Sequence, residues 1–202
     1  FNGENLLDKM MDEVKERGPD SYNKFLSNSI SLGHRRLSII DLNKSAEQPF
    51  LFKNRYYLIF NGAIYNYLEL KVELESNGYK FLTKSDTEVL IASYDFWGED
   101  CLNKFNGMWS FIIWDKNTKK FFVSRDRFGI KPLYWAVKDD KLFFSSEIKQ
   151  LRSIGLGLKA NLDEVSIFIY TGMVGISDQT FFRGIRQIPA GHNLTVNKNK
   201  II

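Results

Sequence analysis

Tyr56-Tyr57-Leu58-Ile59-Phe60-Asn61-Gly62-Ala63-Ile64-Tyr65-Asn66 is the stretch on which the reading of this chain turns. A run of strand-forming residues drops into Asn-Gly and then climbs into a second β-rich segment. Asn-Gly between two such runs is the strongest short-range hairpin signal, so a turn is expected at Asn61-Gly62. A sharper reading stands beside it. A side-chain amide and a neighbouring backbone N–H, both at the tip of a buried strand, form a pair that can stabilise an oxyanion.

Downstream, the same alternation of strands and turns continues. Met108 to Trp114 is nearly continuous apolar sequence, as expected of a strand covered on both faces. Asp115-Lys116-Asn117-Thr118 turns it into Phe121-Phe122-Val123, and Leu133 to Val137 pairs across Asp139-Asp140 with Leu142 to Phe144. Consecutive hairpins of this kind make antiparallel sheet. Leu194-Thr195-Val196 starts a further strand, and Lys80 to Thr83 reads as a short one.

Helices interrupt the strands. Leu6, Leu7, Met10, Met11 and Val14 form one apolar stripe, closed by Arg17-Gly18-Pro19-Asp20 with Gly18 at a natural C′ position. Asn66 to Gly78 reads as a helix on its Leu, Glu and Lys content, with Asn66 as cap and Gly78 at C′. Ser85-Asp86-Thr87-Glu88 has capping-box spacing ahead of Val89 and Leu90, so Asp86 sits at a helix start. There it could simply cap, or it could hold a ligand ammonium rigidly. Ser146 to Leu151 and Asn161 to Tyr170 complete the helices. The pattern is that of one α+β domain.

Composition removes several function classes. The chain has 202 residues, 44% of them hydrophobic, with 17 Phe and a formal charge of +4. Basic and acidic residues interleave, so no Lys/Arg stripe supports a nucleic-acid partner. No apolar run approaches the ~20 residues that span a bilayer. One cysteine and two histidines argue against a disulfide framework and a zinc site, and a reducing cytoplasmic setting follows. Cys101 is flanked by acids and lacks an adjacent histidine, which marks it as a buried structural thiol and not a nucleophile. Arg36 lies among apolar neighbours, where a guanidinium wants an anionic partner; an edge-strand arginine pointing to water is the even alternative.

Taken in order, these segments resemble a known family. His34-Arg35-Arg36-Leu37-Ser38-Ile39-Ile40-Asp41, Asn61-Gly62-Ala63-Ile64-Tyr65-Asn66, Ser85-Asp86-Thr87-Glu88-Val89, Gly107 to Phe111, Arg125 to Tyr134, Ser145 to Lys149 and Pro189-Ala190-Gly191-His192 run as in the glutaminase domain of class II glutamine amidotransferases. Within that class the segment after Arg36 is similar to glutamine-hydrolysing asparagine synthetase. The resemblance implies that residues 1–202 are a single domain with the N-terminal-nucleophile hydrolase fold, a four-layer αββα sandwich of two stacked antiparallel sheets. It implies L-glutamine as substrate, hydrolysed to glutamate and ammonia by an N-terminal cysteine whose α-amine is the general base. It gives Arg36 to the α-carboxylate, the Leu37, Ser38, Ile39 and Ile40 backbone to the pocket wall, Asn61 and Gly62 to the oxyanion hole, and Asp86 to the α-ammonium. It implies no cofactor for this domain, with ATP and magnesium belonging to a C-terminal synthetase domain of the same polypeptide that amidates aspartate. It leaves a homodimer open.

Two departures accompany it. The 202 residues open at Phe1-Asn2-Gly3, whereas the family places Cys-Gly-Ile and a first strand just upstream. By themselves these residues are expected not to hydrolyse glutamine. Ala63 stands where the family usually has Glu, which implies weaker glutamine binding. The alternatives are a degenerate glutamine-binding or scaffolding module, an amidotransferase for another acceptor, and an unrelated β-rich binding domain.

Overall fold

A computed structural model of the chain describes residues 3–37, 47–197 and 200–201. Its helices and strands stack in four layers, and side-chain alternation shows why. On β4 (Tyr56–Ile64), Leu58 and Phe60 face one core while Ile59 faces another. On β5 (Gly107–Asp115), Phe111 and Ile113 join the first core and Ile112 the second. Period-two alternation of this kind requires cover on both sheet faces, and both are covered.

Among the described residues these strands form the centre of a six-stranded antiparallel sheet. Its order is β11 (Lys200–Ile201), β10 (Asn193–Asn197), β6 (Lys120–Arg125), β5, β4 and β3 (Phe50–Phe52). The first core packs it against α2 (Tyr67–Ser76) and α3 (Asp86–Trp97) through Leu70, Leu74, Val89 and Leu90. The second core joins it to a three-stranded sheet ordered β8 (Lys141–Ser145), β7 (Tyr134–Lys138), β9 (Ile185–Gln187), through Trp135 and Phe144. Ala136 and Ile185 turn to the far side and meet α1 (Gly3–Asp12) and α5 (Ile148–Ser153) through Met10 and Leu151. The αββα order is therefore built by alternating residues on single strands.

A separate hairpin, β1 (Ser21–Leu26) with β2 (Ser31–Arg36), packs against α1. A short α4 (Cys101–Lys104) precedes β5, and α6 (Leu162–Thr171) leaves Ile169 and Tyr170 on the surface. Among the described residues no helix is long and apolar enough to cross a membrane.

Most expected elements occur where the sequence places them, including the Asp139-Asp140 turn, where both residues adopt positive φ. Four expectations are corrected; one is the capping box, since Ser85 N–H donates to Thr83 Oγ1 and not to Glu88. There is no turn at Asn61-Gly62: β4 runs straight through, pairing with β5 from Tyr56 opposite Asp115 to Ile64 opposite Gly107. Glycine is needed there for a different reason, because a Cβ on Gly62 would lie 2.2 Å from the Met108 carbonyl oxygen and 2.8 Å from Trp109 Cα. Gly18 is not left-handed either, with φ −145°; its Cβ would strike the Arg35 carbonyl carbon at 2.4 Å. Lys80 to Thr83 is not a strand. The Glu88 carboxylate accepts from the N–H groups of Leu82 and Thr83, so a side chain takes the bonds a neighbouring strand would have supplied.

Candidate active site

The site begins with what β3 does not cover. β3 pairs with β4 only from Tyr56 to Leu58, whereas β5 pairs with all of β4. In an antiparallel ladder alternate residues turn their backbone groups to opposite edges. Phe60, Gly62 and Ile64 therefore turn their N–H groups to the edge away from β5. Two of the three are taken by side chains: Phe60 N–H donates to Gln48 Oε1 at 2.6 Å, and Ile64 N–H donates to Asp86 Oδ2 at 3.0 Å. Gly62 lies between them and lines a cavity of about 710 Å³.

Asn61 borders the same cavity, and its Nδ2 is buried without a hydrogen-bond partner among the described residues. An unpaired buried donor costs roughly 1–3 kcal/mol, so its retention points to a ligand. Ser145 Oγ, also buried and unpartnered among the described residues, lines the cavity from β8.

Asp86 enters from the start of α3, where Ser85 Oγ caps the helix by accepting from Thr87 N–H at 3.0 Å. The carboxylate is 5% exposed. Burial pushes its pKa up, and the N–H groups of Ile64, Thr87 and Asp86 itself counter this only in part. A desolvated carboxylate on a rigid helix start is suited to a cation.

Arg36 enters from β2. His34 and Arg36 are two apart and share a face, while Arg35 is turned to α1, where Met11 O and Asp12 Oδ1 accept from it at 3.1 and 2.8 Å. Both His34 and Arg36 line the cavity. Burial, reinforced by the Arg36 charge, pushes the His34 pKa down to about 4, so the imidazole is neutral near pH 7. Leu37 and Ala63 also line the cavity, whereas Ser38, Ile39 and Ile40 lie outside the described residues. One cavity thus brings together Arg36 of β2, Leu37 just after it, Asn61, Gly62 and Ala63 of β4, and Asp86 of α3.

Cys101 is remote from this chemistry. It is fully buried in the core beneath α2 and α3, and burial, with Asp100 and Glu99 nearby, pushes its thiol up to about 12. Gln48 is the residue that sequence reasoning missed. It belongs to no periodic segment, and its value arises only because β3 stops short of Phe60.

Residues 1–202 match the family described as "Glutamine amidotransferase domain". The chain belongs to that family. Among curated proteins, this amidotransferase domain is 46% identical over 149 residues to asparagine synthetase [glutamine-hydrolyzing] 1 of Bacillus subtilis, covering 73% of the chain and 23% of the relative. It is 35% identical over 199 residues to asparagine synthetase [glutamine-hydrolyzing] 3 of the same organism, covering 96% and 32%. It is also 33% identical to amidase chry2 of Gibberella zeae, covering 96% and 29%. The domain thus spans from a quarter to a third of these relatives. Among solved structures, the glutamine phosphoribosylpyrophosphate amidotransferase of B. subtilis superposes with TM-score 0.63 at 24% identity, over 85% of this chain and 34% of that one. That likeness bears on the fold, and the four layers agree with it.

Proposed function

We propose that this domain binds L-glutamine and, within its full polypeptide, hydrolyses the side-chain amide to glutamate and ammonia. The observation that carries the reading is the single cavity shared by a cation (Arg36), a buried carboxylate (Asp86) and the pair Asn61 Nδ2 and Gly62 N–H. An α-amino acid offers a carboxylate and an ammonium at one end, and these complement Arg36 and Asp86. The amide at the other end then falls to Asn61 and Gly62.

The chemistry needs a thiol. It would come from a cysteine upstream of Phe1, carried by a strand beside β2 and β8. Among the described residues β2 pairs with β1 and β8 with β7, each along one edge, and each borders the cavity. With its α-amine taking the proton, the thiolate attacks the amide carbon. The oxyanion forms against Asn61 Nδ2 and Gly62 N–H, and the C–N bond breaks to release ammonia. Water hydrolyses the thioester, returning the thiol and glutamate.

The ammonia would pass to an ATP- and magnesium-dependent synthetase domain of the same polypeptide that amidates aspartate. The greater length of the asparagine synthetases supports that destination, as does the apolar surface around Ile169, Tyr170 and Val174. The similarity to amidase chry2 keeps another acceptor in view. Glutamate release by the full-length protein, with and without aspartate and ATP, tests both halves. Release without asparagine formation would retain the glutaminase and remove the acceptor.

A further inference from the structure

Asn61 and Gly62 can serve one oxyanion only if β4 is held in register where it has lost one neighbour. β3 has ended, yet β4 stays extended for six residues past Leu58, and its outer edge faces a cavity. An uncovered strand edge of this kind is free to bend, bulge or recruit other acceptors. The structure closes it at two points. Gln48, itself 8% exposed, presents Oε1 to Phe60 N–H at 2.6 Å, and Asp86 presents Oδ2 to Ile64 N–H at 3.0 Å. Gly62 is the middle member of that row. Its neighbours on the same edge are both occupied, and β5 lies too close for any side chain at position 62.

We propose that Gln48 is a positioning residue for the oxyanion hole: its side chain continues the ladder where β3 stops, so that Gly62 N–H alone remains directed at the ligand. The proposal rests on the reading of Asn61 and Gly62 as oxyanion donors. Gln48 touches no reacting atom. It replaces a strand by one amide, and it does so one residue before Asn61. His34 lies one alternate position from Arg36 on β2 and borders the same cavity.

Two substitutions separate positioning from mere stability. Gln48→Met keeps the side-chain length and apolar volume but removes the acceptor. Gln48→Glu keeps an acceptor oxygen at the same reach. In full-length protein, Gln48→Met is expected to lower kcat for glutamate release by about tenfold to a hundredfold, the scale of a misplaced catalytic group. KM for glutamine should stay within about twofold, because Arg36 and Asp86 are untouched. Gln48→Glu should restore most of kcat. An unchanged kcat with Gln48→Met, or a loss that Gln48→Glu fails to recover, overturns the proposal. Should the unsubstituted full-length protein release no glutamate, the glutaminase reading fails by itself. The brace is then read by NMR: Gln48→Met should speed hydrogen exchange at Phe60 N–H and shift the Gly62 amide resonance. An unmoved Gly62 resonance contradicts it.

Discussion

Replacing Gly62 by alanine separates a steric requirement from a torsional one. A Cβ at this position would stand 2.2 Å from Met108 O, 2.6 Å from Phe60 Cε2 and 2.8 Å from Trp109 Cα. Two of these are backbone atoms of β5, which is itself locked between β4 and β6. Restoring ordinary contact distances requires β4 and β5 to part by roughly 1 Å. Overpacking in a tight core costs typically 1–3 kcal/mol, and rigid backbone neighbours place Gly62→Ala at the upper end, about 3 kcal/mol. For a domain of this size that is a fall in Tm of about 6–12 °C. The assay is calorimetry of full-length protein, following this domain's transition. Gly78→Ala is the control: its φ is +87° but nothing lies within 4 Å of its Cβ. It should cost only about 1–2 kcal/mol, the usual penalty for a left-handed alanine. A Gly62→Ala protein melting within 1 °C of the parent would refute the close-approach argument, because a merely permissive glycine predicts that result.

Further predictions concern the cavity. Asp86→Asn keeps an oxygen for Ile64 N–H while removing a charge that burial disfavours. Tm should hold or rise while KM for glutamine increases at least tenfold, measured by melting and steady-state kinetics on one preparation. Ala63→Glu adds a carboxylate to the cavity wall, and one further charge-assisted hydrogen bond of ~1.5 kcal/mol should lower KM about tenfold. An unchanged KM would remove Ala63 from the account. The depressed pKa of His34 gives a signed pH effect. Between the ordinary value of 6.5 and about 4 the unfolded chain binds a proton that the folded chain does not, so His34 erodes stability as pH falls through that window. His34→Gln should reduce the difference between urea midpoints at pH 7.5 and pH 5.

Much of the fold is legible in single segments, because the relevant physics is local. The stripe from Leu6 to Val14, the cap at Ser85 and the doubly covered run from Met108 to Trp114 each carry their own signal. The failures have one cause. At Asn61-Gly62 the local chemistry of a turn was overridden by pairing with a strand some fifty residues downstream, and glycine served close approach instead of φ. At Lys80 to Thr83 a strand-like run was satisfied by Glu88 from the following helix. Gln48 gave no signal, since its role depends on where another strand ends. Arg36 and Asp86 stood out because charge among apolar neighbours and charge at a helix start are local oddities.

The central claim is that Asn61 and Gly62 face a developing oxyanion. The most direct test is kcat for glutamate release by full-length protein carrying Asn61→Ala, beside the parent. A loss of about a hundredfold to a thousandfold is expected with KM for glutamine nearly unchanged, the signature of a donor used in the transition state. An unaltered kcat, or a loss confined to KM, would contradict it.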